Sequence, residues 1–270
     1  MSFLKRVGAI SLGKYGVVFG LIAGFVLAVV MDALGGVAAY ALPNSHMAQS
    51  FASFTAAYGT ALLIAIPLLG AVLTFLYFAV LACLYNYVAP RVGFLKVDLR
   101  RSRLNSIDAM SMARLEAVFA LILGFVASCV GVAFFVPMLS AISPTVARLS
   151  VLSLLLIPII TVAAGICGFI GGYIYAFFYN LIADWVGGVQ FAMRKNVLAR
   201  VGVKSLVKVM VVLGAIFGLI SGILSFSLVG LVVQPVTEVV FYLVYAAVLG
   251  LVYNFLANAI GGVELAITDK

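Results

Sequence analysis

Ser11-Leu-Gly-Lys14 and Ser205-Leu-Val-Lys208 set a hydroxyl and an amine one helical turn apart. This is the S-x-x-K spacing that serine acyl enzymes use to hold a nucleophile. A third stretch in the same frame, Ser111-Met-Ala-Arg114, carries a guanidinium, which stays protonated and cannot act as a base. No companion motif of such enzymes accompanies the three. Helix capping by serine, with a cation snorkelling at an interface, accounts for every copy. His46 is the only histidine, so the chain alone cannot build a multi-histidine metal site. It reads as a solvated loop residue, with a pH-sensitive or shared metal contact in an assembly as the alternative. Glu116 and Glu238 read as opening, or nearly opening, the third and sixth helices on opposite sides of a membrane, and Asp32 and Asp184 lie near helix ends. With no acid expected at mid-membrane, a proton relay gains no support. Cys83, Cys129 and Cys167 have no paired spacing and read as small core residues. The expectation is a chain that is not an enzyme, with no catalytic residue, metal or cofactor.

Asn86, Asn180 and Asn254 form the most informative polar set. Each follows a tyrosine and has a small residue four positions before it: Ala82, Ala176 or Gly250. All three are expected about one turn inside the cytoplasmic membrane boundary. Two roles fit: hydrogen bonding between helices or from helix to turn, and an inner polar ring of three amides constricting an axis. The small residues form rows four apart: Gly16, Gly20 and Gly24; Ala120, Gly124 and Ser128; Gly168 and Gly172 between Ala164 and Ala176; and Gly214, Gly218 and Gly222. Such faces let helices approach closely in lipid, within one chain or between copies.

These residues sit in a sequence built for a bilayer. Hydrophobic residues make up 66% and charged residues 9% of 270, with a mean hydropathy of +1.30. A water-soluble domain carries roughly a quarter charged residues. A hydrocarbon core about 30 Å thick needs roughly 20 apolar residues per helix. Six runs qualify: 12–35, 60–89, 112–137, 149–183, 204–232 and 236–259. The first follows MSFLKR, which resembles a signal-peptide start. The run is long and lacks a clear cleavage site, so it reads as a retained helix. The outer segment 36–58 is expected to lie on the membrane or to cover the outer end of the helices.

The net charge of +8 invites a nucleic-acid partner, but its distribution argues against one. Fifteen of the sixteen basic residues fall on one side of the six-run topology, and only Arg148 falls on the other. The positive-inside rule makes the basic side cytoplasmic, with both termini there, in a multi-pass protein of the cell membrane. Lys14, Arg114 and Lys208, with Arg100, Arg101 and Arg103, are the expected contacts for anionic lipid headgroups. The run Arg100–Arg103 is also a candidate surface for a partner.

The runs also repeat. AISLGKYGVVFGLIAGF (9–25) aligns without a gap on AMSMARLEAVFALILGF (109–125), and VKSLVKVMVVLGAIFGL (203–219) keeps the frame. The returning helices align through the three asparagines, with Pro67 equivalent to Pro235. Three units result, 1–99, 100–193 and 194–270, each a helix, an outer loop and a helix coming back. All three run in one direction, so the repeat is parallel, unlike the inverted repeats of many secondary transporters. After each returning helix, apolar residues alternate: Leu95, Val97, Leu99; Val189, Phe191, Met193; Val263, Leu265, Ile267. That period predicts a half-buried strand. Before each outgoing helix stand Leu4 and Val7, Leu104 and Ile107, or Leu198 and Val201, whose spacing of three is poor strand evidence. The fold class is therefore an all-α membrane protein, six transmembrane helices as three tandem hairpins in a pseudo-threefold bundle, with a small cytoplasmic layer of short β-strands. Closure of that layer stays open.

The exit signature resembles a family of small two-helix transmembrane domains of unknown function in actinobacterial and archaeal proteins. Tyr253, Asn254, Ala257, Gly261, Gly262, Val263 and Glu264 carry it best, followed by Tyr179, Asn180, Ala183, Gly187 and Gly188. The first copy departs, with Pro90 and Arg91 in its linker and Phe94 at the second glycine, so its turn is expected to differ. The resemblance implies the fold and no activity. The expected role is a structural or accessory membrane protein, packed against lipid, another membrane subunit or a second copy of itself. A channel for an ion or small solute along the pseudo-threefold axis is the alternative.

Overall fold

A computed structural model describes residues 1–42, 44–142 and 154–269. The chain runs β1 (Ser2–Val7), α1 (Ala9–Ala41), α2 (His46–Val92), β2 (Leu95–Arg100), β3 (Arg103–Ile107), α3 (Ala109–Ile142), α4 (Leu156–Val186), β4 (Val189–Arg194), β5 (Val197–Val201), α5 (Val203–Leu224), α6 (Leu228–Ile260) and β6 (Val263–Asp269). Among the described residues six helices are long and apolar enough to cross a membrane. They pair in sequence as three antiparallel hairpins, α1 with α2, α3 with α4 and α5 with α6. The chain is a multi-pass membrane protein.

The small-residue rows lie inside these hairpins. A side chain at Gly24 would meet the Pro67 backbone, and at Gly16 and Gly20 it would meet Thr74 and Gly70. Gly124 faces Ala164, Gly168 faces Ala120 and the Glu116 carbonyl, and Gly172 faces Glu116. Gly214 faces Tyr242 and the Glu238 carbonyl, Gly218 faces Pro235, and Gly222 faces Gly230 and Leu231. Only a missing Cβ lets the backbones come this close. In the first hairpin the approach is tied by Thr74, whose hydroxyl lies 2.5 Å from the Gly16 carbonyl and 2.6 Å from that of Gly70.

Two boundaries differ most from the sequence reading. The outer segment 36–58 is no separate surface element. It prolongs the first hairpin, with α1 reaching Ala41 and α2 starting at His46. The close-packed face simply continues there, Gly35 against Thr55 and Gly59 against Asp32. The fifth run, read as 204–232, breaks at Leu224. Ser225 donates to the Gly222 carbonyl, Phe226 takes a positive φ of 50°, and Ser227 caps α6 by accepting from the Gly230 amide. Hydropathy cannot see a three-residue turn made of Ser-Phe-Ser. Arg148 falls outside the described residues.

Beneath the helices the six strands close into an antiparallel barrel in the order β1-β2-β3-β4-β5-β6, with β1 and β6 completing the ring. The exit strands β2, β4 and β6 sit where alternation placed them. The lead-in strands β1, β3 and β5 each carry a register shift opposite the preceding exit strand, between Leu4 and Arg6, between Leu104 and Ser106, and between Leu198 and Arg200. One extra residue turns the next side chain to the other face. The bulge therefore explains why the apolar residues of these strands are three apart. In a closed sheet alternate residues face inward. The exit strands then turn inward Leu95, Val97 and Leu99, Val189, Phe191 and Met193, and Val263, Leu265 and Ile267, with the paired apolar residues of the lead-in strands on the same face. All are buried or half-buried.

Neighbouring hairpins meet mainly in the half next to this barrel. Tyr85, Val88 and Ala89 of α2 pack on Leu115 of α3. Ala176, Tyr179, Ile182 and Ala183 of α4 pack on Val209 and Leu213 of α5. Leu256 of α6 packs on Tyr15 of α1. Farther out, large apolar side chains such as Leu27, Phe134 and Val232 are more than half exposed, which suits lipid. Cys83 and Cys167 are exposed on these helix surfaces and Cys129 is half-buried, so they are not core residues as expected.

Candidate functional site

The Tyr-Asn pairs stitch each hairpin to its own lead-in strand. Asn86 accepts from the Val7 amide at 2.9 Å and donates to the Val7 carbonyl at 2.8 Å. Asn180 does the same with Ile107 (2.7 and 2.8 Å), and Asn254 with Val201 (2.8 and 2.8 Å). Each amide side chain thus imitates a strand neighbour for the last strand residue before the outgoing helix. The preceding tyrosines donate to carbonyls three residues upstream in the same strands: Tyr85 to Leu4, Tyr179 to Leu104 at 2.6 Å and Tyr253 to Leu198 at 2.5 Å. Their hydroxyls also accept from Leu95, Val189 and Val263, the first residues of the exit strands.

The serines make the complementary stitch, to the preceding unit. The Ser11 hydroxyl donates to the Gly8 carbonyl at 2.9 Å and accepts from the Glu264 amide at 3.0 Å. Ser111 bridges Asp108 and Lys96, and Ser205 bridges Gly202 and Gln190, in the same way. A backbone bond runs alongside each, from Gly8 to Glu264, Asp108 to Lys96 and Gly202 to Gln190. Tyrosine and asparagine close a unit on itself, while serine joins it to its neighbour.

Several expectations change. The serines are not N-caps: each lies in the first helical turn and donates backward. The true cap side chain in the second copy is Asp108, whose Oδ1 accepts from the Ser111 amide at 2.8 Å. With its proton and a lone pair engaged by backbone, the serine is held away from the role that S-x-x-K suggested. The asparagines lie six residues before the ends of α2, α4 and α6 and bond strand residues that precede the partner helices. Both ends of each amide are engaged with one backbone residue. Glu116 and Glu238 lie well inside α3 and α6, packed against Gly172 and Gly214 of their partner helices, and do not open them. The α3 and α6 starts precede the apolar runs by several residues, which misplaced both acids. His46 is the exposed first residue of α2 and no loop residue. Among the described residues, no buried side-chain nitrogen or oxygen lacks a partner.

The turn glycines behave as the signature implies. Gly93, Gly187 and Gly261 follow the returning helices with φ of 118°, 80° and 84°, values that favour glycine. A Cβ at Gly188 or Gly262 would strike the carbonyl of Leu104 or Leu198. Phe94 stands at the matching place in the first copy, where φ of the preceding glycine is the largest and β1 pairs with β2 over three residues. Replacing Ser111 by alanine orphans the Lys96 amide at the rim of the barrel. A loss of about 1 kcal/mol is expected in thermal unfolding, as for one ordinary hydrogen bond.

The basic residues divide into two groups. Lys14, Arg114 and Lys208 are exposed at equal depth in α1, α3 and α5, one step outward from the serines. Arg100, Arg101 and Arg103 instead lie at the β2–β3 turn. They share an open cleft of about 1150 Å³ with Arg200 and Lys204, which sequence spacing had not grouped with them. β4 lies between β3 and β5, paired with β3 through Arg103 and Gln190 and with β5 through Ala192 and Arg200. Among the described residues the arrangement defines a membrane protein of six long helices on a six-stranded barrel. No family model, curated protein or solved structure matches the chain.

Proposed function

We propose that the chain is a structural or accessory integral membrane protein, a scaffold or subunit of a membrane assembly without catalysis of its own. In this reading it is three copies of one two-helix domain about a pseudo-threefold axis, with the barrel and both termini on the cytoplasmic side. The observation that carries it is the use of the polar residues. The tyrosine, asparagine and serine of each copy are tied to backbone, and nine apolar side chains of the exit strands line the barrel interior where a wet axis would pass. The exposed apolar outer halves of the hairpins leave surface for lipid or for another membrane subunit.

One observation favours a pore instead. Glu116, an acidic residue at helix depth in α3, is half-buried against Gly172 of α4. Purified protein in liposomes separates the readings. The scaffold reading expects ion and small-solute flux no greater than in protein-free vesicles. Flux that disappears in Glu116→Gln would replace it with the pore.

A further inference from the structure

We propose that the cleft between the second and third units binds the phosphorylated headgroup of an anionic lipid through Arg101, Arg103, Arg200 and Lys204. The four cations come from the β2–β3 turn, β3, β5 and the first turn of α5, and they line one open cleft with no acidic side chain in its wall. Arg100 also lines it and is held by Asp98 at 3.0 Å. Arg103 is fixed in place: with the Gln190 amide oriented oxygen-inward, that oxygen accepts from two guanidinium nitrogens at 3.1 and 2.6 Å. Arg200 stands across from Ala192, whose small side chain leaves the cleft floor open. Guanidinium groups match phosphate oxygens geometrically, and several around one cleft select an anion with more than one charge.

The other two junctions between units show that this is not a by-product of the repeat. The strand residue bonded to the serine hydroxyl is Gln190 here, Glu264 at the junction of units three and one, and Lys96 at that of units one and two. At the third-to-first junction Ile10 replaces Lys204. At the first-to-second junction Met110 replaces it, Ser106 replaces Arg200, and Asp108 caps the helix. Three equivalent places therefore carry three different charge sets, and only one is uniformly cationic. Its upper wall is the start of α5, below the exposed Lys208, where a headgroup of the adjoining leaflet would reach it. That position favours a lipid phosphate over a dissolved one. The inference stands whether or not the protein conducts.

The test uses the full chain in nanodiscs of phosphatidylcholine doped with a phosphoinositide bisphosphate, or with phosphatidylserine at matched total charge. Bound lipid is counted by native mass spectrometry after transfer to mild detergent, and thermal unfolding confirms folding. The wild type is expected to retain the bisphosphate lipid over phosphatidylserine, and Arg103→Gln with Arg200→Gln to lose it at least tenfold. Arg6→Gln with Lys96→Gln, the same loss of charge at the other junctions, is expected to retain it. Equal loss in both double variants, or none in either, overturns the site. Displacement of the lipid by inorganic pyrophosphate at equal concentration overturns the assignment to a lipid.

Discussion

Asn180→Leu is expected to destabilise the protein more than any other single substitution at the Tyr-Asn positions. The leucine fills similar volume but leaves both the amide and the carbonyl of Ile107 without partners, and Ile107 is 7% exposed. Each unsatisfied buried group costs about 1–3 kcal/mol, so the pair places the variant several kcal/mol below wild type. Val201, the equivalent partner of Asn254, is half-buried, so water replaces part of what Asn254→Leu removes and the effect is smaller. Asn180→Asp keeps the acceptor for the Ile107 amide but turns a carboxylate oxygen toward the Ile107 carbonyl, and it falls near the leucine variant. Tyr179→Phe loses one hydroxyl that donates to Leu104 and accepts a longer bond, 3.3 Å, from the Val189 amide, with an expected cost of about 1–2 kcal/mol. Thermal unfolding in one detergent ranks the four. If Asn180→Leu and Tyr179→Phe unfold together, the amide is not the anchor that the geometry makes it.

The same residues show which parts of this architecture the sequence makes legible. The exit strands announce themselves because Leu95, Val97 and Leu99 and their counterparts keep an unbroken period of two. The lead-in strands do not, since the extra residue after Leu4, Leu104 or Leu198 shifts the pattern midway, and no local rule distinguishes a bulged strand from a turn. The small-residue rows are readable because a four-residue spacing on a helix is local. Their partner is not, and only the paired positions, Gly24 against Pro67 and Gly218 against Pro235, place them within hairpins. Asn86, Asn180 and Asn254 stand out as a set, while their depth depends on how far the returning helices run past the start of the outgoing ones. The basic cleft is the least legible feature. Arg103 and Arg200 lie about a hundred residues apart, and they meet because β3 and β5 flank the same strand, β4, a pairing between units that no local pattern announces.

Gly168→Leu and Gly171→Leu, one turn apart on α4, are expected to behave in opposite ways. A Cβ at Gly168 would sit 2.5 Å from the Ala120 Cβ and 2.7 Å from the Glu116 carbonyl oxygen, so α3 and α4 must separate to admit it. Overpacking of this kind costs about 1–3 kcal/mol where neighbours can yield, and more where the obstacle is backbone. Separation would also strip contact from Gly124 and Gly172 on the same face, because packing is what holds these helices together in lipid. Aggregation in size-exclusion chromatography, or a steep fall in the unfolding temperature, is the expected result. A Cβ at Gly171 meets no heavy atom within 4 Å. Removing a helix-interior glycine there gains up to about 1 kcal/mol of helix propensity, so its unfolding temperature should hold or rise. Gly171 also tests the other use of a small-residue face: if copies associate through it, the leucine changes the oligomeric state without loosening the hairpin. Equal unfolding temperatures for the two variants would mean that close approach of α3 and α4 is not what stabilises the second hairpin.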